Sequence, residues 1–165
     1  MSYRILWPAM RWPDGRHIEE SSVPGHSAEF CERYTDVTEE QWANCDAVVS
    51  INDIPEEYRQ KMTKCRIFVT PKVGFDNIDG KVWADMGIPL CNVPDYGTQE
   101  VADHAMALML SLMKGITFHT RELKQDPRGL WRPALNPYGK RLSASSFGVV
   151  GLGPVSYTHL TLPTK

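Results

Sequence analysis

No apolar run in this 165-residue sequence approaches the ~18 residues that a membrane span requires, so no transmembrane helix is expected. Met1–Trp7 runs straight into Pro8 and charged residues, without the apolar stretch of a secretory leader. Charge of one sign is not in excess. Lys+Arg number 18 against 20 Asp+Glu, a net charge of −2, which gives nucleic acid or an anionic membrane surface nothing to grip. Cysteine is sparse. Cys31, Cys45, Cys65 and Cys91 form no Cys-x-x-Cys pair and have no His-rich neighbourhood, so reduced core thiols are expected, with no metal site, in a cytoplasmic protein. No internal repeat or low-complexity segment is visible.

What remains is a regular alternation of short apolar runs and helix-like stretches. Tyr3–Trp7, Ala28–Tyr34, Ala47–Ile51, Arg66–Thr70 and Pro89–Val93 read as strands. Between them, Thr38–Trp42 reads as a helix capped by Thr38 or Asp36, and Pro55 opens a helix to about Lys64. Asp79–Met86 reads as another, closed by Gly87. Short connections and this β-α rhythm predict a parallel sheet of about five strands with helices on both faces.

From Thr98 the pattern changes. Val101, Ala105, Leu108, Leu112 and Ile116 form one apolar row and Ala102, Met106, Met109, Leu110 and Met113 a second. A helix apolar nearly all round is expected to be buried between layers. Gln125–Lys140 contains three prolines and two glycines and reads as a long loop. Phe147–Gly151 then reads as a strand entering the turn Gly151-Leu152-Gly153. Glycines at this spacing after a strand let a pyrophosphate approach a backbone turn at a helix N-terminus. Alone, glycines so spaced after a strand more often make a plain turn. His104 lies one turn after Glu100 but has no third ligand, so a structural histidine is expected there.

Three blocks carry a resemblance. Lys72-Val73-Gly74-Phe75-Asp76-Asn77-Ile78-Asp79 is followed by Gly87-Ile88-Pro89-Leu90-Cys91-Asn92-Val93-Pro94 and then Thr98-Gln99-Glu100-Val101-Ala102-Asp103-His104-Ala105. In this order, and closed by Gly148–Gly153, they resemble the D-isomer-specific 2-hydroxyacid dehydrogenases. Within that family the phosphoglycerate dehydrogenase and C-terminal-binding-protein branches are most similar. The resemblance implies an α/β fold. Residues 1–97 would form a flavodoxin-like substrate domain, 98–123 a long crossing helix, and 124–142 a loop. Residues 143–153 would supply only the first strand of a Rossmann NAD-binding domain.

It also implies roles. The Lys72–Gly74 loop would hold the substrate carboxylate through Lys72, Val73 and Gly74, as exposed N–H groups beside a cation can. Asn52, at the end of the preceding parallel strand, would lie beside it, and is equally suited to cap the helix that follows. Thr98 would touch the cofactor, NAD or NADP, and is equally suited to be a helix cap. Gly151 and Gly153 would face the dinucleotide. Thr70 and Lys72 depart from the family, which carries arginine and glycine at those positions. Lys72 restores the charge without arginine's two-pronged grip. The family's catalytic Arg, Glu and His fall beyond Gly153, so no catalytic residue is assigned here.

Val155–Thr164 resembles one translated frame of a transposase sequencing adapter, so residues 154–165 are expected to be a non-native tail that packs against nothing. The chain thus reads as the front of a dehydrogenase for a small D-2-hydroxy or 2-oxo acid, a homodimer when whole and inactive as it stands. A corepressor-like dinucleotide sensor of the same fold is the alternative. A receiver-type or flavin module is disfavoured, because Pro8-Ala9-Met10 supplies neither an acid cluster nor a phosphate loop.

Overall fold

Residues 1–10, 16–126 and 139–158 are described by the computed structural model. Most of the loop expected at 125–140 and the end of the expected tail therefore lie outside the described residues. The chain divides into two units, Met1–Tyr96 and Gly97–Lys165.

The first unit holds five strands: β1 (Arg4–Trp7), β2 (Ser27–Phe30), β3 (Ala47–Val49), β4 (Ile67–Thr70) and β5 (Leu90–Asn92). All pair in parallel, in the order β2-β1-β3-β4-β5. The expected parallel sheet is present. Register aligns Leu6 with Val48 and Val48 with Phe68, and this row is essentially excluded from water. Against it pack Trp42 from α2 (Glu39–Asn44), Tyr58 from α3 (Glu56–Arg59) and Trp83 from α4 (Gly80–Asp85). Phe68 stacks on Trp83 with ring centroids 4.4 Å apart, and Trp42 on Tyr58 at 5.3 Å. Truncating a buried aromatic of this kind costs about 3–5 kcal/mol, so these rings dominate the core. The opposite face carries Trp7, stacked on Phe30 at 4.7 Å, and Arg16, just before α1 (His17–Ser22), lies over the Phe30 ring at 5.4 Å.

Local chemistry sets the helix ends. Thr38 Oγ1 accepts from the Gln41 amide at 3.2 Å while the Thr38 amide donates to Gln41 Oε1 at 2.9 Å, a reciprocal cap on α2. Asp79 caps α4, accepting from the Lys81 and Val82 amides. Gly87, at φ +72°, closes it.

The second unit departs from expectation in four ways. The single crossing helix is two: α5 (Thr98–Lys114) and α6 (Ile116–Gln125), broken at Gly115. Gly115 is left-handed at φ 64°, and its N–H reaches the carbonyls of Leu112 and Ser111, a C-terminal stop that glycine provides at low cost. The apolar stretch of α5 is also not buried among the described residues. Only Ala102 is enclosed, while Val101, Leu108 and Leu112 are 55%, 53% and 74% exposed. Its described neighbours, α6 and α7 (Pro154–Thr158), are too short to cover it. Phe147–Gly151 forms no strand. A parallel strand requires a neighbour's ladder, and this unit contains none among the described residues.

The beginning of the expected tail is ordered rather than loose. Pro154 occupies the first position of α7, where its missing N–H is harmless. Ser156 is buried, and its Oγ donates to the Gly151 carbonyl at 2.8 Å. Residues 154–158 therefore pack, against the expectation that they would not.

Candidate functional site

Parallel strands deliver the loops that follow them to one edge of a sheet, where ligands of such folds bind. In the first unit this edge is built by Ser50–Asp53 after β3 and Pro71–Asn77 after β4. The Ser50 amide donates to the Val69 carbonyl at 3.0 Å and its hydroxyl to the Asn52 carbonyl at 2.8 Å. The Asn52 side chain is thereby left free to turn along the edge.

Asn77 joins the two loops. Its Nδ2 donates to Asn52 Oδ1 at 3.2 Å, and its Oδ1 accepts from Lys72 Nζ. Asn52 and Lys72, 20 positions apart, are thus neighbours through one side chain. Asn52 caps no helix, because α3 starts from Pro55 without a side-chain cap.

The loop itself is anchored through its carbonyls. The Val93 amide donates to the Lys72 carbonyl at 3.2 Å and Asn92 Nδ2 to the Val73 carbonyl at 2.8 Å. The N–H groups of Lys72, Val73 and Gly74 find no acceptor among the described residues. Val73 and Phe75 are 46% and 48% exposed. Three N–H groups without an acceptor and one ammonium on the same short loop are the kinds of donor that a small anion such as a carboxylate would need. Thr70, where the family resemblance implies arginine, is fully buried with its hydroxyl unpartnered. It supplies no charge to the loop, which leaves Lys72 as the loop's cation.

Asp53 was not singled out from the sequence, yet it organises this edge. Its Oδ1 accepts from Trp83 Nε1 at 2.9 Å, the Ile54 amide at 2.8 Å and Arg59 at 3.3 Å. Its Oδ2 accepts from the Asp79 amide at 3.1 Å. One carboxylate thus ties the β3 loop to α3 and to the start of α4. The only signal in the sequence was a polar Asn-Asp pair directly after an apolar strand.

The remaining candidates lie in the second unit. Thr98 is the first residue of α5, with Gly97 in the cap position, so Thr98 is not the cap. Gly151 is at φ +96° and the turn leads into α7. A Cβ built on Gly153 would meet nothing within 4 Å, so open space lies beside the turn. A dinucleotide also needs a strand before the turn and an acid ~20 residues after its helix begins to hold the ribose. The strand is absent among the described residues and that acid position lies past residue 165. These residues alone do not assemble a dinucleotide site. His104 is exposed, and among the described residues no three His, Cys, Asp or Glu side chains gather as metal ligands. No helix of the described residues is long and apolar enough to cross a membrane.

Comparison with known proteins agrees with this fold. The family model for the D-isomer specific 2-hydroxyacid dehydrogenase catalytic domain matches residues 14–162. A glyoxylate reductase of Korarchaeum cryptofilum is 31% identical over 121 residues, covering 70% of this chain and 36% of the relative. A glyoxylate/hydroxypyruvate reductase B of Erwinia tasmaniensis is 25% identical over 156 residues, 93% of this chain and 46% of its own. Among solved structures, an NADPH-dependent glyoxylate/hydroxypyruvate reductase from Sinorhizobium meliloti, in complex with citrate, superposes with a TM-score of 0.75. It is 23% identical, and 94% of this chain covers 48% of that one. This chain spans about half the length, or less, of these relatives. With the family model matched over nearly its whole length and the parallel sheet in place, the chain belongs to the D-isomer specific 2-hydroxyacid dehydrogenase family.

Proposed function

We propose that this chain is the substrate-binding part of an NAD(P)-dependent oxidoreductase that interconverts a small D-2-hydroxy acid and its 2-oxo acid. The observation that carries the reading is the row of free N–H groups at Lys72, Val73 and Gly74, beside the Lys72 ammonium and Asn52. These donors would hold the substrate carboxylate, with Lys72 as a point charge and Asn77 fixing its position. Relatives named as glyoxylate and glyoxylate/hydroxypyruvate reductases support a substrate of this size. Hydride transfer would come from NAD or NADP. In the whole protein Thr98, Gly151 and Gly153 would contribute to its site, and dimerisation is expected. The proton-transferring and carbonyl-polarising groups are assigned to no residue of this chain, so residues 1–165 by themselves should bind a 2-oxo acid without turning it over.

The test is calorimetric titration of glyoxylate and pyruvate into the chain, beside a Lys72→Met variant and an NADPH oxidation assay. Saturable binding that weakens in the variant, without NADPH consumption, is the expected result. Binding that ignores Lys72 would overturn the site, and turnover by this chain would overturn the division of labour.

A further inference from the structure

In a sheet ordered β2-β1-β3-β4-β5, the chain leaves β1 and β3 in opposite directions, and the crevice between their C-terminal ends is the natural ligand site. A cavity of about 90 Å³ occupies that crevice here. Trp7, Met10, Val49, Ile51 and Pro71 give it apolar walls, and Ser50 and Glu19 are its polar members. The volume holds several water-sized groups. Two of its walls, Ile51 after β3 and Pro71 after β4, are the immediate chain neighbours of Asn52 and Lys72. The cavity is therefore lined by the same two loops that carry Asn52 and Lys72.

Glu19 is out of place in such a lining. Its Oε2 is shielded from solvent and has no hydrogen-bond partner. A buried carboxylate oxygen without a donor is costly, and the cost is relieved most fully by a cationic donor with two parallel N–H groups. Ser50 does not meet the need, because its hydroxyl is committed to the Asn52 carbonyl.

We propose that this cavity takes the side chain of the substrate and that Glu19 selects one ending in a guanidinium or comparable cationic donor. The substrate class is then a 2-oxo or D-2-hydroxy acid with a basic side chain, its carboxylate on Lys72–Gly74 and its cation on Glu19. Charge is complementary at both ends, and the apolar walls take the methylenes between. The inference rests on the carboxylate reading of the Lys72–Gly74 loop.

The experiment titrates the full 165-residue chain with four ligands: 5-guanidino-2-oxopentanoate, 2-oxohexanoate, glyoxylate and butylguanidinium. Heat is the primary readout, and the Trp7 indole N–H resonance reports occupancy of the cavity. Each titration is repeated on Glu19→Gln, which keeps the shape and removes the charge, with a thermal melt to establish that it folds. The guanidino acid should bind at least about tenfold more tightly than 2-oxohexanoate, the worth of one charge-assisted hydrogen bond. In Glu19→Gln that preference should vanish while glyoxylate binding stays unchanged. Equal binding of the two longer acids, or a preference that survives Glu19→Gln, overturns the proposal and leaves the carboxylate site standing if glyoxylate still binds. If butylguanidinium binds through Glu19 and no 2-oxo acid binds, the cation subsite is right and the carboxylate reading has failed. If nothing binds, both are overturned.

Discussion

Asn77 Nδ2 donates to Asn52 Oδ1 at 3.2 Å across 25 residues of sequence, and the same Asn77 accepts from Lys72. The contact joins two separate loops at one edge of the sheet. Asn77 is exposed, and the expectation is that its bridge sets position rather than stability. Asn77→Ala should therefore change folding stability by no more than about 0.5 kcal/mol. It should weaken binding of a small 2-oxo acid by about three- to tenfold, because Lys72 then loses the fixed geometry it needs. Calorimetry and a urea titration on the same samples check both halves. A large stability loss, or unchanged affinity, would show that the bridge is not a positioning device.

Asp53 makes the opposite case, a residue at the edge whose first duty is structural. Its carboxylate accepts four hydrogen bonds, from Ile54, Arg59, Trp83 and Asp79. Its side chain is 23% exposed and that of Arg59 14%. Asp53→Ala leaves several of those donors unpaired at once, so it should cost about 2–4 kcal/mol in urea unfolding. Asp53→Asn keeps an acceptor oxygen and should cost less, roughly half as much. A loss below about 1 kcal/mol for the alanine variant would mean that water replaces the carboxylate at little cost.

The core pairing is equally specific. Phe68 and Trp83 are both fully enclosed and stack at 4.4 Å. Trp83→Phe should retain the stacking but lose the indole N–H to Asp53, a cost of about 1–3 kcal/mol. Trp83→Ala adds a cavity and should reach about 3–5 kcal/mol. Equal losses for the two would show that the hydrogen bond, not packing, carries the residue's contribution.

The strands were legible because each is a short apolar run closed by a polar or glycine punctuation, as Ala47–Val49 is by Ser50 and Asn52. Helix lengths were less so. The helix expected to reach Lys64 ends at Arg59. The chain beyond it is bonded elsewhere: Thr63 Oγ1 donates to the Ala43 carbonyl and Lys64 Nζ to Asn44. Those partners lie 20 residues away, which no local pattern reveals. The same limit hid Asp53 and Asn77, whose loop-joining bonds to Asp79, Trp83 and Asn52 span 25 to 30 residues. Gly115 is different. Its left-handed stop was written in the sequence, but the apolar periodicity on both sides led the helix to be read through it. Asn52 and Lys72–Gly74 were legible only through family resemblance.

Alkaline pH should destabilise the fold through its thiols. Burial pushes the Cys31 thiol above its usual 9.0, and Asp36 and Glu29 add to the shift. Cys45 is raised too, by the neighbouring Cys65 thiol and by burial, while the same contact lowers Cys65. A raised folded value means the native state holds its proton when the unfolded chain has lost it. The thiols' contribution is therefore complete below about pH 9 and is lost as pH rises above it. Unfolding free energy should fall between pH 8 and pH 10. Cys31→Ala and Cys31→Ser should each flatten that fall, whatever they do to stability at pH 7. Parallel pH curves for the variants and the parent chain would assign the alkaline loss to lysines and tyrosines instead.

The last expectation concerns the surface of α5. Val101, Leu108 and Leu112, with Ile116 beyond the break, follow one another at spacings of seven, four and four, and each is more than half exposed. Up to Gly115 such spacing keeps side chains on one side of a helix, so the exposed residues make a stripe rather than a scatter. Contiguous apolar surface of this kind drives association. Fully burying one leucine releases about 1.5–3 kcal/mol, which is at least about tenfold in an association constant. The chain should accordingly self-associate as its concentration rises and should enhance the fluorescence of an apolar dye. Leu112 is 74% exposed, so Leu112→Lys should leave unfolding free energy within about 0.5 kcal/mol of the parent. It should nonetheless move self-association to at least about tenfold higher concentration. Light scattering on a size-exclusion column, run over a dilution series of both proteins, makes the comparison. If the parent chain stays monomeric throughout, or if the lysine variant associates as strongly, the stripe is not an associating surface.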